Sequence, residues 1–186
     1  MNIRRFRADD VTAVAALYGR AVRIGAIRAY PRKALLAWAA PRLSKRFFRD
    51  RMLPTWTFVA TVPGGAETRQ RYRGAGQGGT LGHGGLHGQG GEVVLGFTEV
   101  MQDGHVRMLF TDPAATRCGI ASGLLAHALD HARSHGTTNF TTDASRLSRP
   151  VFARVGFRPT GHRLRGIAGA RLLTTRMVLR GDSVVG

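Results

Sequence analysis

The chain is short of several things, and each shortage excludes a class. Of its 186 residues only Cys118 is a cysteine, so no internal disulfide and no multi-cysteine metal site can form. No apolar run approaches the roughly 20 residues that span a bilayer, and no membrane partner is expected. The basic start, Met1-Asn2-Ile3-Arg4-Arg5-Phe6, lacks the apolar core of a secretion signal; a cytoplasmic protein is the simplest reading. Acidic residues number 11 against 28 basic ones. Lysine is almost missing too: Lys33 and Lys45 are the only two, and arginine supplies every other basic residue.

What remains is an arginine-rich chain with a net charge of +17 and a hydrophobic content of 43%, the size and composition of one globular domain. Such a charge attracts anions, and nucleic acid is the first partner it suggests. The arginines are nonetheless scattered, apart from short pairs and the stretch at 69–73. Together with abundant Gly and Ala they read as a GC-rich coding bias, which disfavours nucleic acid as the partner.

Periodicity predicts an alternation of strands and helices. Residues 2–7 read as a strand, and Asp9 and Asp10 offer N-cap chemistry for a helix over 11–22. Helices are expected at 31–38, opening on Pro31, and at 43–53, with Phe47 and Phe48 turned inward. Residues 55–62, 93–100 and 105–111 are rich in β-branched and aromatic residues and read as strands. Asp103-Gly104 forms the hairpin turn between the last two. A helix over 121–135 carries Leu124, Leu125, Ala128, Leu129 and Ala132 on one face and stops at Gly136. A strand at 140–144, a short helix at 149–155 ending at Gly156, and a strand at 171–179 complete a mixed α/β domain around a twisted central sheet.

Residues 63–91 break the pattern. Glycine dominates there with Gln, Arg and His, and the segment has too little apolar surface to offset its ordering entropy, so a long flexible loop is expected. Gly74, Gly76 and Gly79 fit a dinucleotide-loop spacing, but no strand precedes them closely and no helix follows. His83 and His87 have metal-ligand spacing only on a helix, which the intervening Gly84 and Gly85 oppose.

The chemistry concentrates around Gly119. A glycine-containing loop entering a helix presents backbone N–H groups that no intrahelical carbonyl satisfies, at the positive end of the helix dipole. That is an anion site suited to a pyrophosphate, and Arg117 can add a charge. Cys118 has no evident partner base and reads as a small loop residue, not a nucleophile.

The segment Thr116-Arg117-Cys118-Gly119-Ile120-Ala121 resembles the acetyl-CoA signature of the GNAT superfamily: Arg or Gln, two residues, Gly, one residue, then Gly or Ala. Ala144-Ser145 followed by the 149–157 stretch, with Phe152, Gly156 and Phe157, resembles that family's closing helix. Ile3 to Arg7 with Asp9-Asp10 is similar to its first strand and helix start. The likeness spans nearly the whole chain apart from the Gly-rich stretch, which looks like an insertion between the second and third strands.

The resemblance implies the GNAT acyl-CoA N-acyltransferase fold, a splayed central sheet flanked by helices. It implies acetyl-CoA as co-substrate and transfer of its acetyl group to an amine acceptor by direct attack. Arg117, Cys118, Gly119, Ile120, Ala121 and Gly123 would offer backbone to the pyrophosphate. Met108, Leu109 and Phe110 would hold the pantetheine arm and supply an oxyanion-binding N–H, with Ser145 and Phe152 also beside the cofactor. Glu99 is the first choice of general base, with Asp143 and His105 behind it. Two departures stand out: Thr116 replaces the leading Arg or Gln, and Phe152 replaces the tyrosine that commonly protonates the leaving thiolate. A catalytically silent coenzyme A sensor is therefore a rival reading, and homodimerisation stays open. Tyr18, Tyr30, Trp38 and Trp56 line the acceptor groove or simply belong to the core.

Overall fold

The computed structural model describes residues 1–27, 29–39, 44–68, 91–167 and 170–181. Seven strands form one sheet: Asn2–Arg5 (β1), Trp56–Pro63 (β2), Glu92–Val100 (β3), His105–Thr111 (β4), Asn139–Ala144 (β5), Arg158–Ile167 (β6) and Ala170–Arg180 (β7). Their order is β1-β2-β3-β4-β5-β7-β6. Every neighbouring pair is antiparallel except β4 and β5. A parallel pair needs a crossover, here the helix Ile120–Ser134 (α4).

Pleating divides the strand side chains between two cores. Val59, Val94, Phe97, Met108 and Leu172 face the helices Val11–Arg20 (α1), Arg32–Ala39 (α2) and Lys45–Met52 (α3). Phe58, Ala60, Val93, Leu95, Val106 and Phe140 face α4 and the short helix Arg149–Arg154 (α5). The expected stripe of α4, Leu124, Leu125, Ala128, Leu129 and Ala132, is wholly buried, each leucine contributing about 1.5–3 kcal/mol. Gly96 lets that helix settle on β3, since a Cβ there would stand 2.9 Å from side-chain atoms of Ile120 and Leu124. The helix ends as expected, with Gly136 at φ +86° and Thr137 N–H donating to the Ala132 carbonyl at 3.0 Å.

Three expectations change. The strand β6 was not anticipated: Pro159, Gly161 and three arginines give it no apolar alternation. It forms because it is an edge strand, where proline is tolerated, and it carries an irregularity between Pro159 and Gly161. Asp10 does not cap α1 with its side chain. Its carboxylate is fully buried, accepts from the Arg7 N–H at 2.9 Å and is gripped by both terminal nitrogens of Arg4 at 2.7 and 2.9 Å. Arg4 also reaches Glu92 at 2.7 Å, and these bonds, Asp10 first, hold its guanidinium above the ordinary arginine range. The third helix is shorter than expected and is capped by Ser44, whose hydroxyl accepts from the Phe47 N–H at 3.1 Å.

The Gly-rich stretch falls between β2 and β3, where Pro63 pairs with Glu92 and a Cβ on Gly64 would collide with the Gly91 carbonyl. The β2–β3 ladder thus holds residues 63 and 92 side by side. Gly74, Gly76, Gly79, His83 and His87 lie outside the described residues.

Candidate active site

The parallel ladder between β4 and β5 is only two residue pairs long: His105 with Thr141 and Val106 with Thr142. Beyond it β4 stays with β3 as far as Thr111, while β5 stays with β7 through Ala144. The two strands part company and leave a wedge whose walls are strand edges. The cause is local. Glu99 pairs with Met108 and Val100 with Val106, so Arg107 is an extra residue, a bulge that bends β4 away from its neighbour. Met108 and Phe110 turn their side chains into the core, Phe110 stacking on Phe97 at 5.5 Å and meeting Tyr18 edge-on at 4.9 Å. Leu109 packs on the α4 side. What these three residues bring to the wedge is main chain.

At the open end of the wedge lies the loop entering α4. Asp112 fixes it. Its N–H donates to the Leu95 carbonyl at 2.8 Å, one carboxylate oxygen accepts from Ala114 N–H at 3.0 Å, and the other takes two bonds from Arg20 of α1 at 2.9 and 2.7 Å. Thr116, Arg117, Cys118 and Gly119 are exposed. Arg117 and Gly119 adopt φ of +63° and +75°, left-handed backbone on either side of Cys118 that glycine accommodates freely and arginine does not. Gly119 caps α4 without any side-chain bond. The N–H groups of Ile120, Ala121 and Ser122 in the first turn are thus left for an outside acceptor. A Cβ on Gly119 would meet nothing within 4 Å, whereas one on Gly123 would contact Met1 and Ile3 at 3.5 Å; Gly123 faces β1.

The titratable candidates sit on the sheet face covered by α1 to α3. Glu99 is fully buried. Arg107 bonds both its oxygens, the Nε donating to Oε2 at 2.7 Å and Nη2 to Oε1. The Thr55 hydroxyl donates to Oε1 at 3.1 Å, and Arg51 stands 3.6 Å from Oε2. Asp143 follows Thr142, the last β5 residue of the parallel ladder, and so stands at the fork. Its side chain is 4% exposed, with Arg176 3.5 Å away on β7. His105 Nδ1 lies 2.9 Å from the Thr141 hydroxyl.

Ser145 forms a tight turn, its N–H donating to the Ser148 hydroxyl at 2.9 Å. Beside it, the Arg146 N–H donates to the Tyr30 hydroxyl at 3.0 Å, tying the α1–α2 connection to the end of β5. Phe152 is buried and edge-on to Phe157 at 5.1 Å, in the same apolar cluster as Ala144. Tyr18 is core, and Trp56 stacks near His131 and His135 on the far side of the sheet; the side chain of Trp38 lies outside the described residues. Arg107, Arg176 and Arg20 were not singled out from sequence. For Arg107 and Arg176 the one trace there is a charged residue interrupting a largely apolar strand.

An open mixed sheet, split at its one parallel pair with an uncapped helix N-terminus at the mouth, defines the GNAT class of fold. Residues 71–179 match the acetyltransferase (GNAT) domain, and the chain belongs to that family. A curated relative, the uncharacterized N-acetyltransferase YafP of Escherichia coli (strain K12), is 24% identical over 157 residues, covering 84% of this chain and 81% of its own. Among solved structures, a GCN5-related N-acetyltransferase from Rhodopseudomonas palustris superimposes with a TM-score of 0.76 at 21% identity, covering 96% of this chain and 94% of that one. The PaiA N-acetyltransferase from Thermoplasma acidophilum, solved in complex with coenzyme A, gives a TM-score of 0.68 at 13% identity, covering 96% and 98%. No helix among the described residues is long and apolar enough to cross a membrane.

Proposed function

We propose that this chain is an acetyl-CoA-dependent N-acetyltransferase, and that acetyl-CoA lies in the β4–β5 wedge with its pyrophosphate on the first turn of α4. The observation that carries the reading is the two-pair ladder opening beside a helix start that no side chain caps. A wedge of strand edges binds an extended amide-bearing arm as a further strand would. An uncapped helix start binds phosphate oxygens. The backbone of 117–121 cradles the pyrophosphate, and the exposed Arg117 adds a cation.

In this reading the thioester lies where the ladder ends, and a β4 N–H among residues 108–110 receives the carbonyl oxygen as it becomes an oxyanion. The neutral amine nitrogen bonds to the thioester carbon, and Asp143 at the fork takes the proton that this makes acidic. The carbon–sulfur bond then breaks with its electron pair on sulfur, and coenzyme A departs as a thiolate. Phe152 can give that thiolate no proton, and solvent supplies it. Glu99 holds Arg107, and with it the bulge that opens the wedge. An enzyme using this substrate works where acetyl-CoA is made and consumed, in the cytoplasm.

Calorimetric titration with acetyl-CoA, with ADP as control, tests the reading. Micromolar binding that weakens about tenfold or more in Gly119→Val, whose Cβ would strain the left-handed cap, is expected. The absence of heat at millimolar ligand would sink it. Binding without transfer to any amine would instead leave a coenzyme A-binding module, the reading that Phe152 favours.

A further inference from the structure

We propose that the outer edge of β6 is a docking strand for an extended polypeptide segment in which acidic and apolar residues alternate. Two strands, β5 and β7, separate this edge from the β4–β5 wedge, so the inference stands apart from the coenzyme reading.

The edge is open. β6 is the last strand of the sheet, and on its outer side every second residue turns its N–H and C=O away from β7. Among the described residues no strand receives them. Edges of this kind are commonly blunted, and here the blunting is confined to one end. Pro159 and the irregularity between Pro159 and Gly161 spoil pairing there, while from Gly161 to Ile167 the ladder to β7 runs without a break. That regular stretch also projects from the sheet. The β5–β7 ladder stops at Ala144 with Thr175, and residues 170–174 of β7 pair with β6 alone.

Side chains along the stretch alternate in kind. Leu164 lies opposite Leu173, and the two are 65% and 51% exposed. They form an apolar pair in solvent, on the face where Met177 further along β7 is buried in the α4 core. On the other face Arg163, opposite Thr174, is exposed. Basic residues are spread along the whole chain, but acidic ones are not: between residues 145 and 181 every charged side chain is an arginine. Arg158, Arg163, Arg171 and Arg180 of the hairpin are exposed, and none has an ion pair among the described residues. Helix α2, which packs on β6 and β7, carries no carboxylate, and neither does α5. Asp143 on β5 is 4% exposed and adds little to this surface.

Arginine on an edge strand serves in many proteins to keep other strands off. Here the same residues act as a filter. A guarded edge has no use for an exposed leucine pair, which favours a strand bringing an apolar side chain of its own. The arginines repel only cations. A second copy of this chain, at +17, would set arginine against arginine. A strand with Asp or Glu at every second position instead places carboxylates beside Arg163 and apolar side chains beside Leu164, the cross-strand pairs that stabilise a sheet. Main-chain bonds then give affinity, and the alternation gives specificity. Single-stranded nucleic acid suits the surface less. It is held by stacking on aromatic rings, and β6 and β7 contain no Phe, Tyr or Trp.

Fluorescence anisotropy with a labelled peptide of about ten residues that alternates Glu and Val tests the inference, the length being that of a long strand. Three probes stand beside it: a Lys-Val peptide of the same length, the Glu-Val peptide methylated at every amide nitrogen, and a single-stranded DNA of similar length. The Glu-Val peptide is expected to bind the intact chain at least about tenfold tighter than any of the three. Arg163→Glu should weaken it about three- to tenfold and strengthen the Lys-Val peptide. Leu164→Thr, which keeps a β-forming residue, should weaken the Glu-Val peptide and leave DNA unaffected; urea melts show that both variants are folded. No binding of the Glu-Val peptide at millimolar concentration overturns the inference, as does equal binding of the methylated peptide, which cannot pair with an edge. DNA bound more tightly than the peptide and weakened as much by Arg163→Glu gives the surface to nucleic acid and overturns it. A dimer of the chain alone in sedimentation velocity that excludes the peptide gives the edge to a second copy and overturns it too.

Discussion

Glu99 rises from β3 into a bracket of Arg107, Arg51 and Thr55, while Asp143 stands at the fork, where the β4–β5 ladder ends. A carboxylate with both oxygens engaged and no exposure has little room for an amine; one at the mouth of the wedge has. Asp143→Asn is therefore expected to lower kcat by about 10²–10⁴ with acetyl-CoA affinity unchanged. Glu99→Gln is expected to act on stability instead, by about 2–3 kcal/mol, because it takes from the partly buried Arg107 the carboxylate that its guanidinium bonds at both oxygens. Urea melts and steady-state kinetics on both variants check this. A Glu99→Gln chain that melts normally but does not turn over would return the role of base to Glu99. Both carboxylates were legible in the sequence as acidic residues on strands near the signature. What separates them was not, because the deciding partners come from α3, β4 and β7, far apart in the chain. Arg107 in particular touches Glu99 through a bulge, and a bulge is a property of register between two strands, not of either strand's residues.

At the scale of elements, α4 does two jobs. Its N-terminus faces the wedge, and further along it carries His127 and His131, followed at its C-terminal cap by His135; these pack against Trp56 and Phe58 of β2. Arg5 of β1 lies over the Phe58 ring at 5.3 Å. Burial foremost, then the positive charges of His135, Arg5 and His127, hold the His131 imidazole below its ordinary range. The folded chain thus binds fewer protons at this site than the unfolded one below about pH 6.5, the usual histidine value. Stability contributed here is present above that pH and is lost as pH falls through it. Unfolding midpoints in urea between about pH 5 and 7.5 should rise with pH, and His131→Gln should flatten the rise; an unchanged slope would place the effect on other groups. The helix itself was readable from its apolar stripe and closing glycine, as were the strands β2 to β4 from their composition. The strand β6 was not, since an edge strand is held by its neighbour's backbone and needs no apolar pattern of its own. The parting of β4 from β5 was legible only by likeness, for no residue pattern in either strand says where their ladder stops.

Over the whole molecule the net charge of +17 acts on everything anionic, and ionic strength separates its general pull from the built site. Coenzyme A brings only a few phosphate charges, and in the proposed pose its pyrophosphate rests on uncharged N–H groups with Arg117 beside it. The salt dependence of acetyl-CoA affinity should therefore be shallow, a several-fold loss between about 0.05 and 0.5 M NaCl as the screening length shortens. Arg117→Gln should make it shallower still, since it removes the cation nearest the phosphates. A DNA duplex would respond differently, because each phosphate it neutralises releases a condensed counterion and the affinity falls steeply with salt. Duplex binding that vanishes by about 0.15 M salt, beside acetyl-CoA binding that persists, would mark the positive surface as a general attractor and the α4 cradle as the specific site. Duplex binding that persists beside a lost coenzyme response would reverse that assignment, because scattered arginines would then be outcompeting a helix N-terminus for phosphate, and the surface would be the binding site.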